Sequence, residues 1–340
     1  MLYDLLKEHN LTKKILAFTD NNPMKFGRSY CEEKIHIENP ECLIERYGNK
    51  LEILIASSAY DVIRKQMKGY GFSDNKIFLF NFAFMDVKYT DCSFIYDHID
   101  DFERAYEKMS DDKSKRIFLN ILNYRITKDQ KYLEQMQSDV DDEHYQYFDE
   151  NLFEKISDEV FLDIGAYTGD TFAVYTEIYK NWKEYVAFEA DSEVYKNLER
   201  TINNMGFLYK TKLFNVATWS ENTKLIFSEN PGSSTITQRE DGISVEAVVT
   251  DEVIGEEPIT FIKMDIEGAE YNALLGMKKI IQKRKPVLAI CVYHKREDFY
   301  KLTDFVEEIA PKEYSFYFRQ YRYTPTETVC YAVPRKRVVH

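Results

Sequence analysis

Short apolar runs that end in a carboxylate recur along the second half of the chain. The clearest are residues 160–164 (VFLDI), 185–188 (YVAF) and 259–264 (ITFIKM). Runs of this length, separated by polar turns and helical segments, are typical of buried strands in a parallel α/β sheet. Asp163, Glu189 and Asp265 stand at their ends, and the carboxyl ends of parallel strands meet at one edge of a sheet. The pattern therefore predicts three carboxylates along that edge.

A glycine-rich turn follows the first of these runs. Gly165 and Gly169 stand four positions apart, and Thr171 can help to start a helix. Strand, glycine turn and helix start form a nucleotide pocket, because glycine adopts unusual backbone angles and lets a ligand approach the main chain. The spacing is neither a Walker loop nor G-x-G-x-x-G. A carboxylate before the first glycine instead suits S-adenosylmethionine (SAM), which carries a sulfonium and an amino group but no phosphate.

The same patterns divide the chain into three parts. Apolar runs alternate with helical periodicity near the start, at 14–19, 51–56 and 77–80. This alternation predicts a small parallel α/β domain over residues 1–82. Helical periodicity over 100–136 predicts a helical connector at 83–144. Residues 145–340 are then expected to form the larger domain, which contains the three carboxylates.

The first domain has the order of a dinucleotide-binding unit but begins late. Asp20 ends a strand where such a unit places its ribose-binding acid. The strand and glycine loop that should precede the first helix are missing, so an NAD site is not expected. Either the chain starts at Met1 as written or an upstream start has been lost. A docking or scaffold role is the preferred interpretation of this domain.

The acidic composition argues against two classes of partner. The net charge is −13 and the isoelectric point is near 5.1, whereas nucleic acids and anionic membrane surfaces attract clustered Lys and Arg. No run of about 18 apolar residues is present, so no membrane span is expected. Five scattered cysteines without a C-x-x-C pair indicate neither a disulfide framework nor a zinc site. Reduced thiols fit a cytoplasmic protein best.

Five blocks of the sequence resemble one known family. They are FLDIGAYTGDT, AFEADSEVYKNLERTI, FIKMDIEGAEYNALLGM, LAICVYHKREDFYKL and FYFRQYRYTPTETVCYAVP. Over residues 145–334 they are similar, in this order, to the FkbM family of SAM-dependent methyltransferases. The resemblance implies a class I, Rossmann-like fold with a C-terminal antiparallel hairpin and, for many members, O-methylation of a sugar or polyketide hydroxyl. The first domain resembles the Rossmann-like accessory domain that precedes some members.

The strand ends and the glycine turn define the predicted SAM site. Glu189 lies one βαβ step beyond the turn, where a carboxylate binds a ribose diol. The strand end at 217–219 could flank the adenine, with Trp219 either stacked on it or in the core. The resemblance places Tyr147 near SAM as well. The predicted cofactor-binding residues are Asp163, Gly165, Ala166, Tyr167, Gly169, Thr171, Glu189, Ala190, Ala217, Thr218 and Asp265.

Methyl transfer to a hydroxyl needs a base or a metal, because an alcohol does not ionise by itself near neutral pH. His294 directly follows the predicted strand 287–292, and histidine is the usual proton acceptor near neutral pH. We predict His294 as the base, with Asp265 and Glu267 orienting the acceptor; Glu267 is the alternative base. Asp265, Glu267 and Glu270 could also hold Mg²⁺ or Ca²⁺, or the acids could simply favour a helix start.

Several polar residues are candidates for acceptor binding. Ser234 faces the active site by resemblance, and Glu270 follows the last carboxylate turn. Arg319, Tyr321 and Arg322 lie in the predicted hairpin loop, where they could contact an anionic sugar nucleotide. The connector could cover the site with Arg116, Asn120 and Arg125, although a solvated face is the plainer interpretation. The expected partner is a small-molecule, sugar-nucleotide or glycan acceptor, and a homo-oligomer remains an option.

Two other functions stay open at this point. The sequence has no feature that separates O-methylation from N- or C-methylation on the same scaffold. A protein that only binds SAM, as a sensor or scaffold in a glycan-assembly complex, is a different class. Such a protein would not need Glu267 or His294, so replacing either would leave its behaviour unchanged.

Overall fold

A computed structural model of the chain divides into two compact units, Met1–Asp86 and Val87–His340. The structure describes residues 7, 12–30, 34–57, 60–79, 92–127, 129, 131–136, 139–227, 242–322, 324 and 326–339. No helix within these ranges is both long and apolar enough to cross a bilayer.

The described residues of the first unit form two small sheets. Its strands are β1 Phe18–Thr19, β2 Ser29–Tyr30, β3 Ile35–Glu38, β4 Ile53–Ile55 and β5 Ile77–Leu79, and its helices are α1 Pro40–Tyr47 and α2 Tyr60–Gly69. β3 pairs with β1 in parallel and with β2 antiparallel, and β4 pairs with β5 in parallel. The three predicted strands are therefore present but shorter, and β2 and β3 were not predicted. The pattern of residues 1–13 predicts a short amphipathic helix, and this segment lies almost wholly outside the described residues.

The predicted connector forms helices that belong to the second unit. They are α3 Cys92–Asp97, α4 Ile99–Glu107, α5 Asp112–Thr127 and α6 Lys131–Gln135. Phe118 of α5 stacks on Phe318 with ring centroids 5.4 Å apart, and the Ser110 N–H donates to the Phe316 carbonyl. These helices therefore pack against a C-terminal strand, and the structural boundary lies at residue 86.

A seven-stranded sheet forms the centre of the second unit. The strands of this unit are β6 Val160–Ile164, β7 Glu184–Phe188, β8 Thr211–Phe214, β9 Ala217–Trp219, β10 Thr223–Phe227, β11 Ile243–Val249, β12 Phe261–Met264, β13 Val287–Cys291, β14 Tyr314–Gln320 and β15 Thr328–Pro334. The sheet order is β14-β15-β13-β12-β6-β7-β8, and β9 to β11 form a separate small sheet. All pairs from β13 to β8 are parallel.

The antiparallel strands β14 and β15 close one side of the sheet. They pair along their whole lengths, and β15 also pairs with β13. The remaining helices are α7 Asp170–Ile178, α8 Ser192–Asn204, α9 Thr250–Ile254, α10 Glu270–Leu275, α11 Lys278–Arg284 and α12 Asp298–Ile309. Asp191 caps α8 by accepting hydrogen bonds from the N–H groups of Glu193 and Val194.

Burial explains why the central strands are almost wholly apolar. Every residue of β6, β12 and β13 is buried, as expected for parallel strands covered on both faces. Aromatic side chains fill the core beside them; Phe161 and Tyr175 pack with ring centroids 4.7 Å apart. The predicted α/β class, with one large central sheet, is confirmed. Two charged residues inside these strands, Asp163 and Lys263, are the exceptions that matter for the site.

Candidate active site

A cavity of about 370 Å³ opens at the carboxyl ends of β6, β7 and β12. Its walls come from the turn after β6, the end of β7, the start of β9 and the turn after β12. Parallel α/β sheets place ligands at this edge, and the volume suits a small organic molecule. The cavity lies where the three strand-end carboxylates were expected.

Gly165 lies at the floor of this cavity, where the turn after β6 meets the turn after β12. Its φ is +83°, and a Cβ atom added to it would lie 2.0 Å from the Asp265 carbonyl oxygen. A side chain cannot fit in that space, and an L-residue rarely adopts that backbone angle. The glycine therefore lets the turn after β6 lie directly on the turn after β12.

Glu189 is fixed by two backbone hydrogen bonds. Its Oε2 accepts from the Tyr167 N–H and its Oε1 accepts from the Asp191 N–H, both at 2.9 Å. Burial raises the pKa of this carboxyl above its ordinary value, although the two N–H donors oppose that change. The carboxylate lines the cavity, and its position is set before any ligand arrives.

Most of the predicted cofactor residues line this one cavity. They are Gly165, Tyr167, Thr171, Glu189, Ala190, Ala217, Thr218 and Asp265. The Thr218 hydroxyl is buried and has no hydrogen-bond partner among the described residues. A buried hydroxyl without a partner is costly, so a bound ligand would satisfy it. Trp219 does not line the cavity.

Three predicted cofactor residues lie elsewhere, and the prediction for each is corrected. Asp163 is fully buried inside β6, where its Oδ2 accepts from the Tyr185 hydroxyl at 2.8 Å. Ala166 is buried in the core. A Cβ on Gly169 would lie 3.2 Å from Leu198, so this glycine packs the turn onto α8. None of the three lines the cavity.

Lys263 is a buried cation beneath the glycine turn. Its Nζ lies 3.1 Å from Asp163 Oδ1 and donates a hydrogen bond to the Gly165 carbonyl. Burial opposes the charge, yet Asp163 and Asp265 raise the pKa of this lysine above its ordinary value. Lys263 lines the cavity and Asp163 does not, so the contact with Lys263 connects Asp163 to the site.

Asp265 is held at the junction between the cavity and the core. Its Oδ2 accepts a hydrogen bond from the Tyr147 hydroxyl at 2.9 Å, and Tyr147 itself lines the cavity. Burial opposes ionisation, but the charges of His294 and Lys263 lower the pKa of Asp265 below its ordinary value. Asp265 is therefore an ionised carboxylate facing the cavity.

His294 lies behind Asp265 and is paired with Glu270. Its Nδ1 is 2.8 Å from Glu270 Oε1, its Nε2 is 3.4 Å from Asp265 Oδ1, and its side chain is 7% exposed. Burial lowers the pKa of His294, but the surrounding carboxylates raise it to about 10. His294 does not line the cavity and its Nδ1 is paired with Glu270, so the geometry does not support the base role.

Glu267 is the other acid of this group that lines the cavity. It lies in the turn after β12 with a φ of +55°, and its side chain is 42% exposed. Burial raises the pKa of Glu267 above its ordinary value. Glu270, by contrast, is fully buried and does not line the cavity, so its predicted contact with the substrate is corrected.

The hairpin residues differ from their predicted roles. Arg319 lies in β14, is 5% exposed, and donates to Asp111 and Asp149; Tyr321 is buried against Tyr331. Neither lines the cavity, so both belong to the packing of the hairpin. Arg322 does line it, and its Nε donates to Glu143 at 2.8 Å. The predicted acceptor residue Ser234 lies outside the described residues.

The connector helices do not contribute to the described cavity. Arg116 is exposed and pairs with Asp139, as the solvated-face interpretation expects. Arg125 is buried over the Phe299 ring, with its guanidinium carbon 4.2 Å from the ring centroid. Asn120 is half-buried, and none of the three lines the cavity.

Sequence reasoning missed six polar residues that line the cavity: Glu143, Gln146, Asp170, Asp191, Lys263 and Glu327. Gln146 donates to Glu327 Oε2 at 3.2 Å, and these residues come from segments 181 positions apart. A charge inside the apolar run FIKM could have marked Lys263, because a buried lysine requires a partner. No sequence signal joins Gln146 to Glu327.

The part of the chain that forms this cavity is similar to a known family of methyltransferases. Residues 163–323 match the family model described as the methyltransferase FkbM domain. The crystal structure of methyltransferase FkbM from Methylobacillus flagellatus KT is similar in fold, with a TM-score of 0.69 and 20% identity over 93% of this chain and 83% of that chain.

Other solved structures are less similar to this chain in fold. A precorrin-6y C5,15-methyltransferase from Geobacter metallireducens GS-15 has a TM-score of 0.36 at 10% identity, over 54% of this chain and 83% of that chain. An rRNA methylase from Streptococcus thermophilus has a TM-score of 0.35 at 13% identity, over 54% of this chain and 89% of that chain. A search of curated proteins found no match.

The family match contains the glycine turn, the carboxylates at the ends of β7 and β12, and His294. It confirms the resemblance that the five sequence blocks carry. The FkbM structure, which covers most of both chains, supports the same fold for the central sheet. Residues 163–323 of this chain therefore belong to the FkbM family of methyltransferases.

Proposed function

We propose that the protein transfers a methyl group from SAM to a hydroxyl of a carbohydrate acceptor. The observation that carries the proposal is one cavity that is lined both by Glu189 with the glycine turn and by Asp265 with Glu267. The first pair suits a nucleoside with a ribose diol. The second pair provides carboxylates where a methyl donor and an acceptor would meet.

The SAM end of the cavity has groups for each part of the cofactor. Glu189 is positioned to accept hydrogen bonds from the ribose hydroxyls. Ala217 and the unpaired Thr218 hydroxyl lie on the adenine side. The ionised Asp265 offers a negative charge to the cationic methionine end. SAM supplies an activated methyl group, so the protein must orient the acceptor and exclude water.

Glu267 is the residue that we assign to proton removal. It lines the cavity and is partly exposed, whereas His294 is almost wholly buried behind it. During transfer, the acceptor oxygen forms a bond to the methyl carbon as the carbon–sulfur bond breaks, and Glu267 takes the hydroxyl proton. The electron pair of the broken bond stays on sulfur, leaving S-adenosylhomocysteine.

The acceptor end favours a polyhydroxylated molecule. Gln146, Glu327 and Arg322 line it, and amide, carboxylate and guanidinium groups hydrogen-bond readily to sugar hydroxyls.

Cys42, Cys92, Cys291 and Cys330 are free thiols, which supports a reducing compartment such as the cytoplasm. A carbohydrate acceptor in that compartment is the substrate class we propose.

Titration calorimetry with S-adenosylhomocysteine tests the cofactor assignment. Glu189→Gln should bind about tenfold or more weakly, because hydrogen bonds to a charged group are lost. As the pH is lowered, wild-type affinity should begin to fall while the pH is still above 4.5, because the pKa of Glu189 is raised from that value. The Glu189→Gln variant should show no such decline. Glu184→Gln, at the other end of β7, should bind like the wild type.

Glu267→Gln separates catalysis from binding in the same experiment. It should keep its affinity for S-adenosylhomocysteine within about threefold, because Glu189 and the glycine turn are intact, yet methyl transfer to a panel of sugars and sugar nucleotides should be slowed about 100-fold or more. Wild-type protein that binds no S-adenosylhomocysteine would refute the cofactor proposal. Equal turnover by Glu267→Gln and wild type would refute the base assignment alone.

A further inference from the structure

We propose that Asp265, Glu270 and His294 bind a divalent transition-metal cation of the Mn²⁺, Fe²⁺ or Co²⁺ type. The three residues come from different elements: the end of β12, the first residue of α10 and the segment after β13. This donor set includes an imidazole and differs from the all-carboxylate set that the sequence suggests. The inference rests on the proposed function, because it concerns the acceptor end of the same cavity.

The donor atoms are close enough to share one ion. One ligand atom from each residue lies within 4.8 Å of the other two. Metal–ligand bonds of about 2.0 to 2.3 Å place ligand atoms up to about 4.5 Å apart across the ion, so only a small adjustment is needed. Glu267 Oε2 lies 3.8 Å from His294 Nε2, so the ion would lie next to the carboxylate that we assign to proton removal.

A second observation concerns one oxygen of Glu270. This side chain is fully buried; its Oε1 accepts from the Ile266 N–H at 3.1 Å and faces the His294 ring. Its Oε2 is buried without a hydrogen-bond partner among the described residues. A carboxylate oxygen in that state costs free energy unless a donor or a cation is beside it. A bound cation would remove this cost.

The charges around the site also favour a bound cation. The carboxylates of Asp265, Glu267 and Glu270 surround one imidazole. Asp298 is 1% exposed beside them, and its burial together with the charge of Glu270 raises its pKa to about 8, so it is not counted as a charge here. Lys263 is a buried lysine close to this group, and it is shared between Asp163 and Asp265. Buried carboxylates are stable when they are paired or coordinate a metal. The excess of negative charge here therefore favours a cation.

The mixed donor set selects the kind of ion. Mg²⁺ and Ca²⁺ prefer oxygen donors only, whereas imidazole together with carboxylates suits borderline ions. The ion would lie beside Glu267 at the acceptor end of the cavity. A Lewis acid at that place lowers the pKa of a hydroxyl, which makes proton transfer to Glu267 easier. The metal site thus gives a function to Glu270 and His294, the two buried residues that do not line the cavity.

Mn²⁺ titration of the chelator-treated full chain, without SAM, tests the site. Wild-type protein should bind one Mn²⁺ per chain, and Glu270→Gln should bind at least tenfold more weakly. Glu189→Gln is the matched control, because it makes the same chemical change at the other end of the cavity; its Mn²⁺ affinity should be unchanged. Equal Mn²⁺ affinity in Glu270→Gln and wild type would overturn the proposal.

Pulsed electron paramagnetic resonance of bound Mn²⁺ decides the case even if Glu270→Gln does not fold. The wild-type spectrum should show coupling to an imidazole nitrogen, and His294→Gln should lose it. A spectrum with oxygen ligands only, or no binding below about 1 mM, would overturn the proposal. Binding of S-adenosylhomocysteine in the presence of chelator is measured separately, so failure of the metal site and failure of the SAM site are distinguishable.

Discussion

Lys263 links the two residues that hold the floor of the cavity. Its ammonium is shared between the Asp163 carboxylate and the Gly165 carbonyl, and the Asp163 carboxylate in turn accepts from Tyr185. The lysine is 3% exposed and Asp163 is fully buried. This chain of contacts explains why an acid stands before the glycine turn without touching the ligand site: it neutralises the cation that fixes the turn.

Lys263→Met should destabilise the protein strongly. The substitution leaves Asp163 as a buried charge without its cation, and breaking a buried pair in this way costs about 3–5 kcal/mol. Asp163→Asn combined with Lys263→Met should recover part of the loss. Urea unfolding measures both. Lys224→Met removes an exposed pair with Glu246 and should cost less than about 1 kcal/mol. Similar losses in the two single variants would contradict the role of Lys263.

The exact ends of elements decide which predictions about single residues hold. The run 160–164 predicts the strand correctly and places Asp163 at its end, but in β6 the Asp163 side chain is fully buried inside the sheet. Likewise β14 continues to Gln320, which places Arg319 in the sheet rather than in the loop. Apolar patterns locate strands well but not their last residue, because the ends depend on partners elsewhere in the chain.

The turns themselves were easier to predict. Gly165 and Glu189 both line the cavity. Their positions could be predicted because glycine spacing, and a polar residue after an apolar run, are local signals in the sequence. The pairing of His294 with Glu270 has no local signal, because it joins two elements 24 residues apart. The pKa of His294 follows from that pairing and from the nearby carboxylates, so the sequence alone could not exclude it as the base.

Gly165→Ala should disrupt the contact between the turns after β6 and β12. Its Cβ would meet the Asp265 carbonyl at 2.0 Å in addition to the strain at a φ of +83°. Gly206→Ala is the matched control, since Gly206 has a φ of +80° but open space where a Cβ would lie. We expect Gly206→Ala to cost about 1–2 kcal/mol and Gly165→Ala at least about 1–3 kcal/mol more.

Urea unfolding and titration with S-adenosylhomocysteine measure the two effects of these glycine variants. Gly165→Ala should also lose most of its affinity for S-adenosylhomocysteine, because the turn can no longer lie on the end of β12. Gly206→Ala should keep that affinity, since Gly206 does not line the cavity. If the two variants unfold at the same urea concentration, the close approach at Gly165 is not important for stability.

The second unit is larger than the predicted methyltransferase domain, because distant segments pack together in it. The sequence predicts helices between residues 100 and 136 from their periodicity, and the structure has them. The sequence does not reveal which strand these helices pack against. In the structure, Arg319 of β14 donates to Asp111 and to the Ser114 hydroxyl across more than 200 positions. Periodicity shows that a helix has an apolar face but not which strand covers it.

Two truncated chains test whether these helices are part of the fold. A fragment of residues 87–340 should fold cooperatively and bind S-adenosylhomocysteine like the full chain, since the described cavity is lined only by residues 143–327. A fragment of residues 145–340 should lose at least about 3 kcal/mol or aggregate. It leaves buried Arg319 without Asp111 and exposes the Phe318 face that Phe118 covers. Phe118→Ala in the longer fragment should reproduce about 3 kcal/mol of that loss. Equal unfolding midpoints for the two fragments would show instead that residues 87–144 are a separate connector, as the sequence alone suggests.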